Sequence, residues 1–191
     1  MYLLRNIINF TKINLILLLI LLNLTLINNL KAEETFIGFI ESLEGRANKN
    51  INGEQKELTE YDQLFTNDEV VVAPNSTINI SFIDNSTLTL SGDSGFLVKG
   101  FDNISDEKMF HLEILKGKFT FESGSIAKSK DDAMKIILSE IEVVLNGTLV
   151  TGENSDENKT IALVEDSMGK VGSLKIIIGD QTTTITEPSA G

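Results

Sequence analysis

From Phe36 onwards the chain alternates apolar and polar positions with a period of two, and turn-forming clusters interrupt the alternation at short intervals. Thr77-Ile78-Asn79-Ile80-Ser81-Phe82 places Ile78, Ile80 and Phe82 on one face, and Thr87-Leu88-Thr89-Leu90 continues the pattern with Leu88 and Leu90. Asp84-Asn85 between them is a strong turn signal, so the two segments are predicted to form a β-hairpin. Phe110–Ile114 and Phe119–Glu122 repeat the period, with Lys116-Gly117 turning the chain between them. Further strands are predicted at 36–40, 69–72, 95–98, 135–138, 141–145, 160–163, 174–178 and 182–186. Asn52-Gly53, Asn146-Gly147 and Gly179-Asp180 supply intervening turns, since Asn, Asp and Gly tolerate a left-handed backbone. The expected fold class is all-β: one domain of many short antiparallel strands, each with one buried and one wet face. Alternation alone leaves open whether they build a β-sandwich, a barrel-like sheet or a short β-solenoid.

The first 32 residues follow a different pattern. Arg5 and Lys12 precede an apolar run from Ile13 to Ile27, interrupted by Asn14, Asn23 and Thr25, and Leu30-Lys31-Ala32 puts a small residue before Glu33. A basic start, an apolar middle and a small residue at the cut define a helical secretory signal peptide, cleaved between Ala32 and Glu33. An uncleaved anchor is the alternative, but a spanning helix needs about 20 apolar residues and the Asn interruptions argue against one. The expected organisation is a leader at 1–32, an all-β domain at 33–188 and a soft tail at 189–191. Membrane contact is expected only through the leader, and only if it stays uncleaved.

Charge narrows the choice of partners. The leader takes three of the 16 basic side chains and none of the 28 acidic ones, leaving 13 against 28, a formal charge of −15. Such a surface is repelled by phosphate backbones, so nucleic acid is not an expected partner. With no cysteine there is no disulfide, no thiolate metal site and no Cys nucleophile, and the exported domain must hold together by packing.

Catalytic signatures are missing. The one histidine, His111, lies between Phe110 and Leu112 on the polar side of a strand, and reads as a solvent-facing residue rather than a general base. No nucleophile elbow, phosphate loop or dinucleotide fingerprint occurs. Asp84, Asp93, Asp102, Asp106, Asp131, Asp132, Asp156, Glu157, Glu165 and Asp166 are the visible carboxylates, mostly in turns, where Asp bonds the local backbone. Asp102–Asp106 spaces oxygen ligands as a calcium loop does but has Glu107 where that loop needs glycine. The Asn-x-Ser/Thr sequons at Asn75, Asn79, Asn85, Asn103, Asn146 and Asn158 follow from Asn richness. No catalytic residue, metal site or cofactor is expected, and the chain is not expected to be an enzyme.

The motifs around Asp84 carry a resemblance. Leu64–Val70 followed by Ser76–Leu90 resembles the FecR domain, with its opening strand, small polar start, alternating strand, Asp-Gly-Ser-like turn and second alternating strand. Gly38–Gly45 is similar to the family's opening element, and Phe110–Gly117 with Phe119–Gly124 to its later strand pair. Asn146-Gly147-Thr148 and Asp166–Gly172 match variants in exported, stand-alone members, and the likeness spans roughly 36–188. Asn85 stands where the family usually has Gly, a swap that a left-handed turn accepts. Asn146 replaces an Arg, so a role carried by that Arg does not transfer.

The resemblance implies a sensory or protein-binding module of the bacterial envelope. FecR regulators pass a signal from iron-siderophore receptors to a cytoplasmic sigma factor. With only a dozen residues ahead of the apolar run, that regulatory activity is not expected to carry over. The expected function is a non-enzymatic periplasmic or cell-surface module that binds another envelope protein or polymer, in an oligomeric state the sequence does not define. The periplasmic part of an iron-uptake regulator and the N-terminal domain of a surface adhesin are the alternatives.

Overall fold

Turn residues and alternating strands resolve into fifteen strands in the computed structural model, which describes residues 34–51, 53–166 and 168–188. In chain order these are β1 (Phe36–Glu44), β2 (Ala47–Ile51), β3 (Glu54–Glu57), β4 (Gln63–Phe65), β5 (Glu69–Val72), β6 (Thr77–Phe82), β7 (Thr87–Ser91) and β8 (Ser94–Asp102). The long β9 (Met109–Glu122) follows, then β10 (Met134–Leu138), β11 (Ile141–Asn146), β12 (Leu149–Asn154), β13 (Lys159–Val164), β14 (Ser173–Ile178) and β15 (Gln181–Ile185). Among the described residues a single 3-10 turn, at Ile126–Lys128, interrupts the β structure. The leader, its Ala32–Glu33 cleavage site, Asn52 of the Asn52-Gly53 turn, Ser167 and the tail at 189–191 lie outside the described residues.

All fifteen strands form one continuous sheet that folds over on itself. One layer runs β4-β1-β6-β7-β9-β12-β13 and the other β3-β2-β5-β8-β9-β10-β11-β14-β15. The first arm of β9 (109–116) belongs to the second layer and the second arm (117–122) to the first. A straight strand would hold Phe110 and Phe121 about 36 Å apart over eleven residues. Their rings are 5.8 Å apart, so β9 bends back and its arms face each other across the core. Phe82 of the first layer and Phe101 of the second meet the Phe110 ring edge-on at 4.8 and 5.0 Å, and one hydrophobic cluster fills the space between the layers. Of the three expected architectures, the sandwich describes this packing.

The bend explains a change of phase. Phe110, Leu112 and Ile114 are buried, then Phe119 and Phe121, so the buried parity switches across 115–118. Gly117 has φ +90°, and a Cβ there would lie 2.6 Å from Ser94 Cα, so glycine is required for both reasons. The expected turn at Lys116-Gly117 is therefore present, but as a corner between layers rather than a hairpin between paired strands.

Two expectations need correction. The strands are not all antiparallel: β10 runs parallel to the first arm of β9, with Met134 opposite Phe110. The chain leaves the end of β9 in one layer and returns through 123–133 to the other, a crossover long enough for parallel pairing. The predicted strands also omit β2, β3, β4 and β12. β3 (Glu-Gln-Lys-Glu) is exposed throughout and β4 has three residues, so neither carries an apolar alternation for a reader of sequence to find.

Candidate functional site

The turns fall into two kinds with similar residues. Asn85 (φ +66°) and Gly179 (φ +56°) close hairpins within one layer, β6–β7 and β14–β15. Gly45, Asn75, Asp93, Gly117 and Gly147, all at positive φ, lie where the chain passes from one layer to the other. Asn146-Gly147 is thus a corner, leaving β11 for β12, where Thr148 N–H donates to Ser123 Oγ at 2.7 Å. Along one side of the sandwich the corners stand close together. Arg46 N–H donates to Ser76 Oγ, a Cβ on Gly92 would lie 2.6 Å from Asn75 N, and Gly117 abuts Ser94.

A groove of about 830 Å³ runs along this row of corners. Lys116, Lys118 and Lys159 line it together with Asp93, Glu153 and Asp156, so its charges balance while the chain as a whole carries −12. Lys116 Nζ pairs with Asp93 at 2.6 Å, both side chains more than half exposed and therefore free to exchange the contact for a ligand. At the floor Asn154, 3% exposed, donates through Nδ2 to the carbonyls of Ile114 at 2.6 Å and Leu115 at 3.1 Å. Those carbonyls belong to the bend of β9, and Asn154 supplies the donors that the bent ladder lacks. A buried, hydrogen-bonded floor with three cations and three anions around it suits a polar, charged ligand.

The remaining sequence candidates do other work. Asp84 is buried, not a solvated turn acid: its carboxylate accepts from Ser86 N–H at 3.0 Å, Ser86 O–H at 2.9 Å and Ile126 N–H at 3.4 Å. Ser86 Oγ in turn accepts from Gly124 N–H at 2.9 Å, tying the hairpin to the crossover after β9. Asp102 folds its own loop, accepting from Ile104 and Ser105 N–H at 2.9 Å, and the Ser105 N–H above all holds its carboxyl below the ordinary value. Asp166 likewise accepts from Met168 and Lys170 N–H, and Asp132 pairs with Lys175. Among the described residues no three His, Cys, Asp or Glu side chains converge as a metal site requires.

His111 departs from its expected setting. It is half-buried on the outer face of the second layer, opposite Lys135, whose Nζ pairs with Glu142 at 2.9 Å. Burial pushes the imidazole below its ordinary pKa and Lys135 pushes it further, against the pull of Glu142. Sequence reading also missed the Lys49–Asp68 pair. Lys49 Nζ, almost fully buried, reaches Asp68 at 2.9 Å and the Gln63 carbonyl at 3.2 Å, while Asp68 accepts from Phe65 N–H. No local signal joins residues so far apart in the chain; Asn154 was hidden for the same reason, in a strand with little alternation.

Residues 68–171, more than half of the chain, match the family described as FecR protein. The chain belongs to the FecR family. No curated protein and no solved structure matches it significantly. The matched span starts at Asp68, just before β5, and ends just before β14, narrower at both ends than the 36–188 suggested by the motifs. It contains the Asp84 hairpin, both arms of β9 and the whole groove. The FecR turn position held by Asn85 has the left-handed backbone that makes Asn an adequate substitute for Gly. Asn146, in the place of the family's Arg, ends β11 with its side chain exposed. Among the described residues no helix is long and apolar enough to cross a membrane.

Proposed function

We propose that this FecR-family protein is exported and works in the periplasm or at the cell surface as a non-enzymatic sensory module, binding an envelope protein or polymer in the groove beside the β9 corner. The observation that carries the reading is the groove itself: charge-balanced in an acidic chain, floored by the buried Asn154 and inside the family-matched span. Lys116, Lys118, Asp93 and Asp156 in it are exposed to solvent, and His111 is not among its lining residues, which suits recognition more than proton transfer. Export is supported by the leader pattern, with cleavage between Ala32 and Glu33.

Two measurements test this. N-terminal sequencing of the protein from its own host is expected to begin at Glu33, and a product retaining Met1 overturns the cleaved-leader reading. A photo-crosslinker at Lys118 of the full chain is expected to capture a reproducible envelope component that one at Glu57 on β3 does not. Capture that persists after Lys116→Glu and Lys159→Glu, or identical products from both positions, rules the groove out.

A further inference from the structure

The sheet has four edges, and three of them are closed by different means. β4 is capped by side chains: its outward Gln63 carbonyl accepts from Lys49 Nζ, and its outward Phe65 N–H donates to Asp68. β3 carries Glu54, Lys56 and Glu57 along its short length, the charged composition that discourages strand pairing. β13 points Lys159, Ile161 and Leu163 outward, but Leu163 is only 1% exposed, so that edge is covered at one end.

Among the described residues β15 has none of these protections. Its sequence Gln-Thr-Thr-Thr-Ile holds no charge and no proline, and Gln181 to Thr184 are exposed. The two-residue turn Gly179-Asp180 makes Ile178 and Gln181 a hydrogen-bonded pair. By alternation Gln181, Thr183 and Ile185 bond β14, and Thr182 and Thr184 turn their N–H and C=O groups outward. Thr is a favoured strand residue, so the edge is preformed for one more strand. β15 also lies outside the family-matched span and away from the groove lining.

Charge identifies the occupant. Asp180 stands at one end of β15 and Glu187 just beyond the other, and Glu140 joins Asp180 because Ile141, Ile178 and Gln181 share one row. The lysines that share a pocket with Thr184 are already paired, Lys175 with Asp132 and Lys130 with Glu107. A second copy added antiparallel with Thr182 opposite Thr184 would set Asp180 opposite Thr186 and beside Glu187 of its mate, so the like charges meet at both ends and self-pairing is disfavoured. We propose that β15 is a strand-addition site for an extended peptide segment with basic residues at both ends, independent of the groove.

The test uses the full chain and two synthetic peptides that share an alternating Val-Thr centre, one flanked by Lys and one by Glu. Fluorescence anisotropy is expected to show saturable binding of the Lys-flanked peptide, about tenfold tighter than the Glu-flanked one at low salt and converging as salt rises. Thr184→Pro removes an outward N–H, which an edge strand tolerates, and is expected to abolish binding with the melting temperature retained. Asp180→Lys with Glu187→Lys leaves the backbone alone and is expected to invert the preference, while Lys118→Glu in the groove changes nothing. No binding of either peptide, equal binding of both, or full binding by Thr184→Pro overturns the proposal. A concentration-dependent dimer that Thr184→Pro dissolves overturns it too, in favour of a second copy.

Discussion

The β6–β7 and β14–β15 hairpins begin from nearly the same sequence chemistry and end in opposite conditions. Each has a turn with an Asp beside a residue at positive φ, Asp84-Asn85 in one and Gly179-Asp180 in the other. Asp84 is 1% exposed and its carboxylate collects three donors from two parts of the chain, whereas Asp180 faces water. The first hairpin packs Ile78, Ile80, Leu88 and Leu90 into the core between the layers; the second leaves β15 exposed at the margin of the sheet. Turn chemistry makes a hairpin. What lies over the hairpin decides whether it holds the fold together or offers a free edge.

The largest effect is expected at the buried turn. Asp84→Ala strips the partners from Ser86 N–H, Ser86 O–H and Ile126 N–H together and is expected to cost about 3 kcal/mol by urea unfolding. A loss no larger than that of an exposed turn acid such as Asp180→Ala would erase the distinction between the hairpins. Next comes Gly124→Ala, whose Cβ would sit 2.5 Å from Ser86 N and pry the crossover from the hairpin, at about 2 kcal/mol in the same assay.

The second hairpin is expected to give smaller and position-dependent losses. Thr183→Pro deletes an inward ladder bond to Ile176 and should cost about 1 kcal/mol. Thr184→Pro, one residue on, deletes only an outward N–H and should stay within about 0.5 kcal/mol. Equal losses at the two positions would refute the hydrogen-bond alternation assigned to β15.

The smallest effect is expected from His111. Its row runs through Lys135, Val144 and Lys175 to Thr184, connecting the core strand β9 to the exposed edge. Folding makes this imidazole less basic, so as pH falls through its ordinary value of 6.5 the unfolded chain takes up the proton first. Stability should therefore decline from about pH 7.5 down to the lower folded pKa and then level off for this group. His111→Gln should flatten that part of the stability–pH curve, and an unchanged slope would assign it to other groups.

Much of this was legible in the sequence, for identifiable reasons. Strands such as 69–72 came out with the right bounds because Glu-Val-Val-Val repeats a β-branched pattern at its own location. Asp84-Asn85 and Gly179-Asp180 were recognisable because a left-handed residue announces itself locally. The groove was not legible. Its floor is Asn154 donating to Ile114 and Leu115, and its walls come from five separate stretches of chain. The Lys49–Asp68 cap on β4 was hidden likewise, since neither residue differs in sequence from any surface charge.

Sequence by itself therefore determined that the chain is all-β, where it turns, which side of each strand is apolar, and that its motifs are those of the FecR family. These follow from local backbone preference and from the two-residue period of a strand. Only the tertiary structure decided which turns are hairpins and which are corners between layers, that β9 bends so that Phe110 meets Phe121, and which of the four edges stays open. Glycine and asparagine at positive φ serve a hairpin and a corner equally well. The choice is made by which apolar faces must be buried against each other, an interaction between residues that are neighbours only after folding.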